Sequence, residues 1–136
     1  MIITKARILL VDDEPLVLEM IEGALKSEGY EVVCAPNSQA ALKHLDRTDF
    51  DAMVCDVRLE NLDGFDLLGL ARKKHPSIAG LLMTGAPCPD DLNRAEQLSA
   101  SYLSKPIGMV QLLATVEQLL DEGRSEEDRN ENVLAA

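Results

Sequence analysis

The segment Arg7-Ile8-Leu9-Leu10-Val11-Asp12-Asp13-Glu14-Pro15 passes without a break from an apolar run to an acidic cluster and then to a proline. A short apolar run without alternation suits a strand buried on both faces of a parallel sheet. Pro15 fits the first turn of a helix, where its missing N–H costs nothing. Leu16, Met20, Ala24 and Leu25 follow at helical spacing, and Gly29 is placed to stop that helix.

The same alternation continues along the chain. Glu31-Val32-Val33-Cys34-Ala35 reads as a second strand, and Ser38 is the expected cap of a helix through Arg47 with Ala41, Leu42 and Leu45 inside. Ala52-Met53-Val54-Cys55-Asp56 is a third strand that again ends in acid. After Asp63-Gly64, a third helix carries Phe65, Leu67, Leu68 and Ala71 and closes at His75-Pro76. Ala79-Gly80-Leu81-Leu82-Met83-Thr84 is a fourth strand, and Asp90 or Asp91 starts a short fourth helix. Ser101-Tyr102-Leu103-Ser104-Lys105 is a fifth strand, and a last helix runs from near Gly108 to near Asp121 with Val110, Leu113, Val116 and Leu120 on one face.

Strands separated by single helices join as right-handed parallel crossovers. The expected fold is therefore α/β: a five-stranded parallel sheet with helices on both faces. The chain's 136 residues suit one such domain. With 3% aromatic residues and no Trp, the core must be aliphatic. From Gly123 on, the polar residues 123–136 read as an acidic tail, a linker stub or an extension of the last helix.

A net charge of −11 argues against direct nucleic-acid binding by this chain and against an anionic membrane surface. No stretch approaches the ~18 apolar residues of a membrane span. Cys34, Cys55 and Cys88 are odd in number and lack CxxC spacing, so they read as reduced thiols and point to a cytoplasmic location. Neither GxxxxGK nor GxGxxG is present, which disfavours nucleotide binding. His44 and His75 lie at polar helix ends, and neither is expected to carry phosphate.

The informative pattern is where polar residues fall. Asp12 and Asp13 end the first strand, Asp56 the third, Thr84 the fourth and Lys105 the fifth. Ligands of open parallel sheets bind at the carboxyl ends of strands, where strand order reverses. With an order 2-1-3-4-5, these ends would share one cleft. Crowded carboxylates repel, and a hard cation removes the conflict. All-oxygen ligands favour Mg2+ or Mn2+ over zinc. Such a site suits a carboxylate nucleophile, central Asp56, that takes a phosphoryl group. Cation, Lys105 ammonium, Thr84 hydroxyl and nearby backbone N–H groups would share the charge on its three oxygens.

These residues resemble the receiver domain of two-component response regulators from about Ala6 to about Glu122. The resemblance rests on Leu9-Leu10-Val11-Asp12-Asp13-Glu14-Pro15, Cys55-Asp56-Val57-Arg58-Leu59 through Leu62-Asp63-Gly64, Met83-Thr84-Gly85, and Tyr102-Leu103-Ser104-Lys105-Pro106. It implies a CheY-like, flavodoxin-like fold of order 2-1-3-4-5 with Asp56 as phosphoacceptor. It implies Asp13 and Asp56 as metal ligands, Asp12 direct or through water, and the backbone carbonyl of Arg58 as a further ligand. Lys105 and Thr84 would contact the phosphoryl group, and the Lys105-Pro106 bond would be cis. Thr84 and Tyr102 would switch the face built from the fourth helix, fifth strand and fifth helix.

The implied partners are a bacterial sensor histidine kinase or phosphotransfer protein and an unknown output partner. A phosphorylation-dependent homodimer is a further expectation. The chain would be a single-domain regulator or a receiver cut from a longer one. It would not be an enzyme beyond self-catalysed phosphorylation and slow autodephosphorylation.

Several positions depart from the family pattern. Leu59-Glu60 stands where Met-Pro is common, Leu98-Ser99 where Gly-Ala ends the fourth helix, and Gly85-Ala86-Pro87-Cys88-Pro89 is proline-rich. Arg58 and Ala86 flank the site and are expected to set the lifetime of the acyl phosphate. Two rivals are weighed. A haloacid-dehalogenase-like phosphohydrolase would need Asp-x-Asp where Asp12-Asp13-Glu14 stands. An interaction module without phosphate chemistry would not need all five site residues.

Overall fold

A computed structural model describes residues 6–135, with side chains described through residue 122. Five strands, β1 (Arg7–Val11), β2 (Glu31–Ala35), β3 (Ala52–Asp56), β4 (Ala79–Thr84) and β5 (Ser101–Ser104), alternate with five helices. The helices are α1 (Pro15–Ser27), α2 (Ser38–Arg47), α3 (Gly64–Lys74), α4 (Asp91–Gln97) and α5 (Met109–Ala135). The strands form one parallel sheet in the order β2-β1-β3-β4-β5. The expected fold is thus the observed one. β1 and β3 are hydrogen-bonded neighbours, with Val11 opposite Cys55, so the acids that follow them meet at one edge.

Successive strand residues point to opposite faces, and both faces are dry. Leu9, Val11, Met53, Cys55 and Leu82 pack with Leu45, Phe65, Leu67, Leu68 and Ala95 from α2, α3 and α4. Ile8, Leu10, Val54, Leu81 and Met83 pack with Ile21, Leu25, Leu112 and Val116 from α1 and α5. This is why the inner strands β1, β3 and β4 run apolar through their middles rather than alternating. Burying each such side chain is worth about 1.5–3 kcal/mol, and these clusters fix the sheet as a rigid platform.

Three local expectations need correction. In α1, Leu16 and Met20 are exposed, at 79% and 54%, while Ile21 and Leu25 are buried. Leu16 sits about 140° round the helix from Ile21, on a second apolar stripe that the sheet does not cover. In α5, Val110 is 85% exposed, and the core takes Leu112, Val116, Leu119 and Leu120. Val110 lies about 200° from Leu112 on that helix. The cap of α2 is Asn37, not Ser38: Asn37 has extended backbone and its side chain accepts from the Ala40 N–H at 2.8 Å. Asn is among the best caps because its short side chain reaches that orphan donor, and Ser38 is buried in the first turn instead.

Helix α5 runs well past Asp121, so the tail residues continue it as far as Ala135. The three cysteines are free. Cys34 donates its thiol hydrogen to Glu22 Oε2 at 3.0 Å. Burial, and then this carboxylate, pushes the Cys34 thiol up to about 12.

The end of α4 turns one residue past the missing glycine, since Leu98, in that glycine's place, has a φ of −94°. Ser99 takes a left-handed φ of 49°, and the next N–H, from Ala100, bonds back to the Ala95 carbonyl at 2.8 Å. Arg72 of α3 also bonds the Leu98 carbonyl and holds this end in place. A left-handed residue with a Cβ is strained. Ser99→Gly should therefore stabilise the domain by about 0.5–1 kcal/mol. The check is a urea midpoint that rises at unchanged slope; a lower midpoint would contradict the assignment.

Candidate functional site

At the carboxyl edge of β1, Asp12 is fully buried. Its amide extends the ladder to the Ala35 carbonyl at 3.2 Å. One of its oxygens, Oδ1, accepts from the Glu14 N–H at 2.9 Å and turns the chain toward α1. Asp13 and Glu14 therefore face outward and are exposed. Asp56, the last residue of β3, is 5% exposed, and its Oδ1 accepts from the Arg58 N–H at 3.2 Å. Its placement depends on Gly64: a Cβ there would lie 2.5 Å from the Asp56 carbonyl oxygen and 2.7 Å from Leu82 Cδ1. Only glycine lets α3 start this close to the end of β3. Asp63 caps the same helix by accepting from the Asp66 N–H at 2.9 Å.

Lys105 closes the cleft from β5. Its Nζ lies 3.0 Å from Asp12 Oδ2 and 3.3 Å from Asp56 Oδ2. Its amide donates to the Thr84 carbonyl at 2.7 Å, and the Lys105-Pro106 bond is cis, as the resemblance implies. Thr84 is fully buried, and its Oγ1 accepts from the Ala86 N–H at 3.1 Å. The structure thus gathers Asp12, Asp13, Asp56, Thr84 and Lys105, expected from sequence, at one end of the sheet.

The electrostatics follow from this packing. Asp12, Asp13, Glu14 and Asp56 each present an oxygen, and these lie within 4.8 Å of one another. Burial pushes the Asp56 carboxyl above its ordinary value, aided by Asp12 and opposed by the Arg58 N–H and Lys105. For Lys105, burial disfavours the charge, but the bond to Asp12 and the charges of both aspartates outweigh it and raise its pKa. One ammonium thus stands against several carboxylates, and the donor set is entirely hard oxygen. That is the chemistry of a Mg2+-type site.

Tyr102 of β5 is half-buried and stacks on Phe65, with centroids 6.4 Å apart and planes at 20°. Its hydroxyl donates to Asp91 Oδ2 at 2.7 Å. Burial, then this carboxylate, pushes the Tyr102 phenol up to about 12. Asp91 is a site neighbour that the sequence reading treats only as a helix start. Its side-chain partners, Arg58 and Tyr102, lie 33 and 11 residues away, so no local motif signals it. Arg94 is likewise unexpected: it grips Asp63 through two bonds, of 2.7 and 3.2 Å, and lies over the Phe65 ring at 4.5 Å. Arg94 thereby braces α4 against α3 beside the cleft.

A family model described as the response regulator receiver domain matches residues 8–117. The chain belongs to this family, whose general function is a phosphorylation switch in two-component signalling. It is 31% identical over 118 residues to the transcriptional regulatory protein GlrR of Escherichia coli, covering 86% of this chain and 27% of that protein. It is 37% identical over 112 residues to the response regulator protein FleR of Pseudomonas aeruginosa, covering 82% of this chain and 24% of that one. The chain therefore spans about a quarter of the length of these curated relatives.

Among solved structures, a CheY-like receiver domain protein from Methanospirillum hungatei superposes with a TM-score of 0.84 at 30% identity, covering 88% of this chain and 97% of that one. The beryllofluoride-activated NtrC4 receiver domain dimer gives a TM-score of 0.81 at 26% identity, covering 86% of this chain and 98% of that one. Receiver domains generally bind Mg2+ at an acidic pocket, and the acidic cluster described above is the corresponding feature here.

The raised Asp56 pKa carries a sign. A carboxyl raised on folding adds stability below its unfolded value and loses it as pH rises through the folded value. Once charged, Asp56 is then a net cost to folding. Asp56→Asn, which removes that charge, should stabilise the Mg2+-free protein at a pH above the folded value. Thermal unfolding in chelator checks this; a lowered midpoint would contradict it.

Proposed function

We propose that this chain is the phosphoacceptor switch of a two-component phosphorelay, with Asp56 as the acceptor. The observation that carries the reading is the Lys105 ammonium held between Asp12 and Asp56, two of four clustered carboxylates. Such a site gathers hard oxygen donors around one ammonium, which suits a divalent cation and, between that cation and Lys105, an incoming anion.

In this reading an Asp56 oxygen attacks the phosphorus of a phosphohistidine on a sensor kinase or phosphotransfer protein. The O–P bond forms as the P–N bond breaks, and the imidazole leaves with the electron pair. Asp13, Asp56, the Arg58 carbonyl and Asp12, directly or through water, would hold Mg2+ or Mn2+. The bound ion would neutralise charge on the transferring group. Lys105 pairs with one phosphoryl oxygen as a point charge. Thr84 exchanges its bond with the Ala86 N–H for one with the phosphoryl group, and Tyr102 then repositions. The α4–β5–α5 face changes with them, to control an output partner or a homodimer.

The relative GlrR bears the name of a transcriptional regulatory protein, and both it and FleR are far longer than this chain. With a net charge of −11, this domain is suited to relay a signal to such a partner rather than to touch DNA itself. The free thiols favour a reducing cytoplasm. No helix among the described residues is long and apolar enough to cross a membrane.

The chain would not act as a phosphohydrolase, because an aspartyl phosphate here is a signal with a lifetime rather than a turnover intermediate. Incubation with a small phosphodonor and Mg2+, followed by intact mass measurement, tests this. Wild type should gain one phosphoryl group and Asp56→Ala none. Equal labelling of both proteins contradicts the reading, and many turnovers of a generic phosphate ester would favour a hydrolase.

A further inference from the structure

Asp91 is 2% exposed, yet one of its oxygens takes three donors from three segments. Oδ2 accepts from the Cys88 N–H at 3.0 Å, from Arg58 Nη2 at 3.0 Å and from the Tyr102 hydroxyl at 2.7 Å. Arg58 Nη2 also bonds the Ala86 carbonyl at 3.2 Å. The arginine therefore bridges the loop after β3 to the loop after β4. Burial pushes the Asp91 carboxyl up, but the Cys88 N–H, the Tyr102 hydroxyl and Arg58 together hold it below the usual range. Arg58 is tied to the acceptor as well, since its own N–H donates to Asp56 Oδ1. Its side chain is 40% exposed, so no core packing encloses it.

We propose that Asp91 is a positioning residue of the switch: its carboxylate holds Arg58 away from the unmodified acceptor and anchors Tyr102, and a phosphoryl group on Asp56 competes for that arginine. The inference rests on the reading of Asp56 as phosphoacceptor. An aspartyl phosphate places new negative charge and strong acceptor oxygens within reach of a guanidinium whose own backbone already touches Asp56. Charge-assisted bonds to phosphate are among the strongest available to arginine. Departure of Arg58 leaves Asp91 buried without its cation, which is strongly unfavourable. The segment from Cys88 into the first turn of α4 must then open to hydrate the carboxylate, and Tyr102 loses its fixed acceptor. The charge event at Asp56 is thereby converted into movement of the α4–β5 face.

The test uses fluoroberyllate with Mg2+ as the phosphoryl mimic and fluorotyrosine-labelled protein read by fluorine NMR. The chain holds two tyrosines, and Tyr102→Phe assigns the Tyr102 resonance. For Asp91→Asn, fluoroberyllate should bind about two- to fivefold more tightly, the span a charge pair is worth when one partner, here Arg58, stays solvated. The Tyr102 resonance of that variant should no longer move on binding. Arg58→Gln should weaken binding by a similar factor and move the ligand-free Tyr102 resonance toward its wild-type bound position.

In an Arg58→Gln background, Asp91→Asn should change affinity no further. A gain that persists there is a through-space charge effect and overturns the proposal. An Asp91→Asn affinity equal to wild type, with only a lower urea midpoint, assigns Asp91 a structural role and also overturns it. So does a wild-type-sized Tyr102 shift in that variant. Failure of wild type to bind fluoroberyllate at all is a separate result, which sinks the acceptor reading itself and this proposal with it.

Discussion

Everything in this domain turns on a charge conflict at the end of a dry sheet. Asp12 and Asp56 are buried, their oxygens cluster with those of Asp13 and Glu14, and one ammonium, that of Lys105, stands between them. Hydrophobic packing on both faces holds these groups together, because neither β1 nor β3 can shift without opening a core. The stability of the sheet is what maintains an arrangement that the carboxylates alone would not choose. Stored repulsion of this kind makes a site receptive to a divalent cation and poised to use a new phosphoryl charge.

The surrounding structure transmits what happens there. Gly64 allows α3 to start against the Asp56 carbonyl. Asp63 caps that helix and is gripped by Arg94 of α4. Burial pushes the Asp63 carboxyl up, but Arg94 and the Asp66 N–H hold it below the ordinary range. Arg58, Asp91 and Tyr102 form the second link, from the loop after Asp56 to α4 and β5. The brace fixes the α3–α4 side, and the second link is the part proposed to exchange partners.

Much of this was legible in the sequence, for a physical reason. Strands buried on both faces must be apolar, so an acid or hydroxyl at the end of Leu9-Leu10-Val11, Met53-Val54-Cys55 or Leu81-Leu82-Met83 stands out. Helix faces were less legible: Leu16, Met20 and Val110 are apolar but point outward, and sequence spacing alone does not say which stripe a sheet will cover. The role of Asp91 was hidden because its ion pair with Arg58 joins residues 33 apart, and an acid at a helix start has an ordinary explanation. The Leu98-Ser99 pair was legible as a departure; the geometry shows that Ser99, and not Leu98 in the glycine's place, adopts the left-handed conformation.

A crystal structure of the wild-type chain grown with Mg2+ and fluoroberyllate tests the central claim most directly. The account predicts fluoroberyllate bonded to an Asp56 oxygen, a metal ion shared by Asp13, Asp56 and the Arg58 carbonyl, and Lys105 paired to fluorine. A fluoroberyllate group bound away from Asp56, or a metal ion that touches none of the four clustered acids, would contradict it.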